Sequence, residues 1–394
     1  MCMSRLWYIL IALGLVIPAF AYAAPVNRSL EVSGWIPYWR AQTGTEDTLP
    51  HLEYVTTVHP FSFNVSGEGE IEDTLNIESS TWGAFIDEAR QRDVRVIPTI
   101  MWNDGAAMHK VFSDRERREA FVADIVQLVE DNGFDGIDID FESKLAETKD
   151  HYSAFLRELY RAMGNKWVYC TIESRTPLTS RYDTIPANIE YANDYKEINK
   201  YCDRVQIMAY DQGTIDLKLS RAAAGPYAPV ADSRWAEKVI RDAAKTISKK
   251  KIVLGIPTYG YEWQIEPLSA STFSYKKLWA FNPGYALEVA GKLGLAPKRN
   301  TAGEMQLLYL PQMLTDVEPA NDASAAKLGV PATPLSNVAT APTLRPSFNL
   351  ITWGDAESVK QKIALAKKLG IRGVAIFKFD GGQDQKIWDV LAGR

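Results

Sequence analysis

The ten residues FDGIDIDFES, Phe134 to Ser143, hold four acidic side chains, and the last three alternate strictly with Ile and Phe. In a β-strand, residues i, i+2 and i+4 share a face, about 6.5–7 Å apart along the chain. Asp138, Asp140 and Glu142 therefore point one way, and Ile137, Ile139 and Phe141 the other. Two folds suit such a pattern. In an antiparallel sheet the carboxylates face water. In a parallel barrel the Ile and Phe pack on helices while the carboxylates point into the interior, which is costly unless they reach a cleft or find partners.

The neighbouring sequence favours the barrel. Apolar strand-like runs recur at Val32–Trp39, Tyr54–Phe63, Val94–Met101, Asp135–Glu142, Trp167–Ile172, Arg204–Tyr210, Lys251–Tyr259 and Gly373–Phe379. Helical patterns separate most of them. The clearest runs from Arg117 to a Gly C-cap signal at Gly133, another from His151 to Gly164, and a third from Asp355 to Gly370. The helix signal after the first strand is weak. Eight strands alternating with helices predict a (β/α)8 TIM barrel. An open doubly wound sheet would want a Gly-rich phosphate loop after an early strand, and the sequence has none. One interval, residues 262–350, interrupts the rhythm between the seventh strand and its helix. Its first part carries aromatic and helical signals that predict a small α+β insertion; Glu318 to Pro346, rich in Ala, Pro, Ser and Thr, reads as a loop.

Arg5 followed by the apolar run Leu6–Phe20 and the small-x-small Ala21-Tyr22-Ala23 reads as a signal peptide over residues 1–24, with an uncleaved N-terminal anchor as the alternative. The catalytic chain would then be 25–394, a secreted or cell-envelope monomer with no membrane association after cleavage. Net charge is −5 and no basic stripe is visible, which argues against a nucleic-acid partner. Cys170 and Cys202 can pair in an oxidising compartment or remain buried thiols. The His residues (His51, His59, His109, His151) lack ligand spacing, so no metal is expected.

Charge crowding assigns roles within the acidic strand. Neighbouring carboxylates cannot all ionise near neutral pH, so at least one retains a proton. Glu142 falls at the C-terminal strand end, where barrel active sites sit, and is placed to be a proton donor. Asp140 can relay charge or stabilise a neighbouring cation, and Asp138 can hold Asp140 in position.

The spacing Asp135-x-x-Asp138-x-Asp140-x-Glu142 resembles the signature of family-18 glycoside hydrolases, the chitinase-like enzymes. GWIPYW (Gly34–Trp39), QIMAYD (Gln206–Asp211), GIPTYGY (Gly255–Tyr261) and GVAIFKFD (Gly373–Asp380) resemble the first, sixth, seventh and eighth strands of that family, in order. The resemblance implies substrate-assisted retaining cleavage of a polysaccharide of 2-acetamido sugars, with no cofactor. It makes Glu142 the acid, Asp140 the partner of the acetamido N–H, Asp138 its support and Tyr210 the donor to the acetamido oxygen. Met208, Asp211 and Gln206 would meet the sugar beside the scissile bond. Aromatic platforms are expected among Trp35, Tyr38, Trp39, Phe63, Trp102 and Trp353. The stretch Arg181–Tyr201 reads as a solvated helix and loop.

Two departures bear on substrate. Where many chitinases end the third strand Ser-x-Gly-Gly, this chain has Thr99 to Asn103, and Phe377 stands where a Trp usually underlies the sugar. Both fit the divergent bacterial branch, which includes enzymes of peptidoglycan. Two alternatives remain open: a catalytically idle carbohydrate-binding barrel, and a glycosidase that uses two carboxylates directly.

Overall fold

The computed structural model describes residues 30–313 and 347–393, apart from 75, 78 and 270. The expected signal segment 1–24 and the whole of the expected Ala/Pro-rich loop lie outside the described residues. Eight parallel strands form the barrel: β1 (Glu31–Pro37), β2 (Thr57–Val65), β3 (Thr99–Trp102), β4 (Gly136–Phe141), β5 (Trp167–Glu173), β6 (Arg204–Met208), β7 (Ile252–Pro257) and β8 (Gly373–Phe377). Each pairs with the next, and β1 pairs with both β2 and β8, so the sheet closes. Pro98 cannot donate to a ladder, and the third strand is accordingly split, with Arg95–Val96 pairing separately with β2.

Every residue of β4 is buried, which excludes a solvated acidic face. Ile137, Ile139 and Phe141 pack outward; Phe141 meets Phe112, Phe121 and Phe155 of the surrounding helices, with ring centroids 5.7–6.2 Å apart. The helices that bury this layer follow their sequence signals. Arg115–Asp131 begins at Asp114, whose carboxylate accepts from the Glu116 and Arg117 N–H groups. Ala356–Leu369 opens on an Asp355/Ser358 capping box and ends at Gly370 with φ 65°. After β1 the helix Ala41–Thr48 is short and polar, which is why its signal is weak.

The interval after β7 is an antiparallel sheet in the order Phe273–Phe281, Gly260–Pro267, Phe348–Trp353, Met305–Tyr309, Lys298–Arg299. It starts two residues before the expected boundary. The helix Pro283–Leu293 covers one face through Ala286, Val289 and Ala290. Two buried glutamates fasten this unit. Glu262 accepts hydrogen bonds from Tyr285, Tyr309 and Asn349. Glu304 accepts from the Val230 and Ala231 N–H groups at 2.9 and 2.6 Å, tying the insertion to the loop after β6. Cys170 of β5 and Cys202, just before β6, are joined by a disulfide. No helix among the described residues is long and apolar enough to cross a membrane.

A charged plug closes the N-terminal end of the barrel. Glu31 accepts two hydrogen bonds from Arg204 (2.6 and 2.8 Å) and one from Arg372 (2.7 Å), with Arg95 at 3.5 Å. Burial alone would raise the Glu31 pKa; the hydrogen bonds and charges of these arginines outweigh it and bring it down to about 2. A depressed folded value stabilises fully above the unfolded value and is lost as pH falls through the folded one. Glu31→Gln is expected to cost about 2–3 kcal/mol of unfolding free energy at pH 7. Urea unfolding of both proteins should show this gap narrowing as pH drops from about 4.5 towards about 2.

Candidate active site

Asp138 is fully buried in the barrel interior and accepts from three strands. Trp35 Nε1 donates to Oδ2 at 3.1 Å, Thr99 Oγ1 to the same oxygen at 2.7 Å, and Thr171 Oγ1 to Oδ1 at 2.7 Å. The network continues sideways: Gln206 Nε2 donates to Thr171 Oγ1 at 3.2 Å, and Ser33 Oγ to Gln206 Oε1 at 3.1 Å. An aliphatic barrel core would leave this carboxylate unpaired, so the polar residues at inward positions of β1, β3, β5 and β6 are what make it tolerable.

One step towards the C-terminal mouth, Asp140 is 5% exposed and lines the cleft. Its Oδ1 has no hydrogen-bond partner among the described residues. Burial, then the charges of Glu142, Asp138 and Glu173, push its pKa well above the usual carboxylate range, against the opposing charge of Lys144. Glu142 follows at the rim. Burial and the charge of Glu173 raise its pKa to about 7, again with Lys144 opposing. At neutral pH the strand end thus holds protons beside a cleft, the condition for general-acid chemistry.

The cleft encloses about 340 Å³. Tyr210 stacks on Phe377 with ring centroids 5.7 Å apart and planes 22° from parallel. Gly255 makes room: a Cβ there would lie 2.6 Å from the Ile207 carbonyl oxygen and 3.0 Å from Tyr210 Cε1. Burial, with the charges of Asp140 and Asp211, keeps the Tyr210 hydroxyl protonated far above neutral pH. Asp211, at φ 59°, accepts from the hydroxyls of Tyr259 and Tyr261. Lys277, from the insertion strand Phe273–Phe281, lies over the Tyr261 ring at 3.8 Å and lines the same wall.

Of the residues expected from sequence, Trp35, Asp140, Glu142, Met208, Tyr210, Asp211 and Phe377 line this one cleft, as do Tyr38 and Trp39. Others do not. Gln206 is fully buried below the floor and serves the Asp138 network. Phe63 is buried away from the cleft, and Phe61 lines it instead; the pairing with β3 shifts register between these two residues. Trp102 packs outward on Phe112 and Phe121, and Trp353 belongs to the insertion's own core. Sequence reasoning missed Glu173, Tyr259, Tyr261 and Lys277 on the cleft wall. Glu173 had a usable signal: it ends its strand two residues past inward-facing Thr171, as Glu142 ends its own past Asp140. Lys144, buried under the acidic strand, had none.

A parallel barrel with a graded line of carboxylates at the mouth and an aromatic cleft is a (β/α)8 barrel with its acidic groups at the strand ends where such barrels place their sites. The chain matches the family model "Glycosyl hydrolases family 18" over residues 34–382, and it belongs to that family. It is 30% identical over 169 residues to the uncharacterized glycosylase YvbX of Bacillus subtilis, 43% of this chain and 46% of that protein. It is 24% identical to the cortical fragment-lytic enzyme of Bacillus subtilis over 89% of this chain and 70% of the other. The match spans about half the length of YvbX and of the putative sporulation-specific glycosylase YdhD, 46% and 48%. Similar folds include the Bacillus cereus spore cortex-lytic enzyme SleL, with TM-score 0.65, 20% identity and coverage of 92% of this chain and 74% of SleL. The C-terminal domain of a putative chitinase from Desulfitobacterium hafniense gives TM-score 0.68 at 19% identity, covering 92% and 99%.

The Asp138 network carries a direct expectation for stability. Asp138→Ala leaves three buried donors unpaired and should lower the unfolding free energy by about 3–5 kcal/mol. Thr99→Val removes one of them and should cost about 1–3 kcal/mol, both read by chemical denaturation.

Proposed function

We propose that the protein is an exported, monomeric, retaining hydrolase of β-1,4-linked N-acetylglucosamine-containing polysaccharide, chitin or peptidoglycan, acting by substrate assistance. The observation that carries the reading is the pair of unlike carboxyls at the cleft: Glu142 with a pKa of about 7 at the rim, and Asp140 below it with an unpartnered buried oxygen. Glu142 gives its proton to the glycosidic oxygen as the C–O bond breaks. The sugar's own acetamido oxygen bonds to the anomeric carbon. Asp140 accepts from the acetamido N–H and offsets the positive charge that develops there. Tyr210 donates its hydroxyl to the acetamido oxygen, and Phe377, stacked beneath, supports the sugar face. Glu142, now a carboxylate, takes a proton from water as it opens the intermediate, so the configuration is retained. Met208 and Asp211 border the same sugar. No cofactor takes part.

The cleft argues for catalysis over idle binding, since the proton donor is present and its proton is retained near neutral pH. Glu173 on the neighbouring strand supports a second reading, in which two carboxylates act directly. It is, however, committed to the Ser143 N–H, Asn193 and Lys144. The signal-like residues 1–24 support export, and the Cys170–Cys202 bond fits an oxidising compartment.

Glu142→Gln should reduce turnover of chitin oligomers or purified peptidoglycan, assayed in parallel, by about 10²–10⁴-fold with fold and glycan binding kept. A fully active variant would overturn the assignment. A substrate without the 2-acetamido group should be cleaved poorly; equal rates would favour the two-carboxylate reading. For the wild type, the donor is the protonated form of Glu142. Above about pH 7, kcat/KM should therefore fall towards about tenfold per pH unit as that proton is lost.

A further inference from the structure

Lys144 and Glu173 lie beside the acidic strand, yet neither has a place in the steps above. The Lys144 side chain is 1% exposed. Its ammonium donates to the Phe141 carbonyl oxygen, stands 4.9 Å from the centroid of the Tyr152 ring and reaches Glu173 at 3.7 Å. Ser143, between Glu142 and Lys144, takes the positive φ of 57°, uncommon for a residue with a side chain. Its N–H donates to Glu173 Oε1 at 3.0 Å, and Asn193 Nδ2 donates to Glu173 Oε2 at 2.9 Å. The two residues that follow Glu142 are thus both bound to one carboxylate on the neighbouring strand. That carboxylate also lines the cleft.

A buried ammonium is costly unless opposite charges face it. From β4 and the residue after it those are Asp140 and Glu142, and from β5 it is Glu173; the helix Lys149–Ala162 contributes the Tyr152 ring. The groups that bear on Glu142 are Glu173, Lys144 and Asp211, together with Asp140 on its own strand, and the Tyr210 and Tyr261 hydroxyls are also near. Lys277 faces Asp211. Within this set Lys144 and Glu173 act on Glu142 with opposite sign, and they are bonded to each other. A pair whose sole purpose was to hold the turn would work equally well outside the range of the donor.

We propose that Lys144 and Glu173 are positioning residues that together set the pH at which Glu142 exchanges its proton, Lys144 favouring release and Glu173 favouring retention. The proposal rests on Glu142 being the proton donor. The pair also fixes the turn, so removing either residue can lower stability; only the charge role moves the titration of Glu142.

The test follows the Glu142 carboxyl by 13C NMR from pH 4 to pH 10 in the wild type, Lys144→Met, Lys144→Arg and Glu173→Gln, beside pH profiles of kcat/KM. Lys144→Met should raise the Glu142 midpoint by about one pH unit and Glu173→Gln should lower it by about one, a tenfold change each way. Lys144→Arg should keep it close to the wild-type value. The alkaline limb of activity should shift with the midpoint. A midpoint that stays put in either charge-removing variant, or moves the other way, overturns the proposal. If Lys144→Met does not fold, Glu173→Gln decides: a downward shift supports the pair and an unmoved midpoint sinks it. Because the NMR midpoint is read without turnover, it stays distinct from the Glu142→Gln assay, whose failure would remove the donor role instead.

Discussion

Three strands converge on the Asp138 carboxylate, and much of the site depends on that convergence. A parallel barrel normally fills its interior with branched aliphatic side chains. Here Trp35, Thr99 and Thr171 donate to a fully buried Asp138, and Gln206 and Ser33 extend the pattern round the ring. This polar layer gives the carboxylate above it a fixed floor. Asp140 is left with burial and like charges for company, and Glu142 inherits part of the same crowding at the rim.

The barrel was legible because its signal is local and repeated. Strand parity alone places Ile137, Ile139 and Phe141 outward and Asp138, Asp140 and Glu142 inward, and the caps at Asp114, Asp355 and Gly370 mark helix ends chemically. What failed were inferences that need a third dimension. Gln206 sits in a motif with Met208 and Tyr210, but its depth in the barrel puts it below the cleft. Phe63 shares nominal parity with Phe61, and the register shift between them decides which one reaches the sugar side. Trp102 has the right position along the chain and the wrong face. Lys144 and Lys277 were invisible for another reason: a lysine on a turn and a lysine on an insertion strand carry no periodic signature, and only packing shows that one is buried and the other overhangs the cleft.

The insertion is coupled to the barrel by a buried acid. Glu304 reaches across to the backbone of Val230 and Ala231, in the loop that continues from Asp211. The insertion that bears Lys277 is thereby fastened to the loop that continues from Tyr210 and Asp211. The Cys170–Cys202 bond ties β5 to the residue stretch that leads into β6, at the end of that strand away from Met208.

The closing of β1 against β8, with Gly34 opposite Ile376, joins the first and last strands of the ring. Trp35 cannot settle over Asp138 until β1 is locked in the ring, and its neighbour on one side is made of residues 373–377, near the far end of the chain. The floor beneath the acidic line therefore hangs on a long-range pairing, one that costs more loop-closure entropy than a pairing of strands adjacent in sequence.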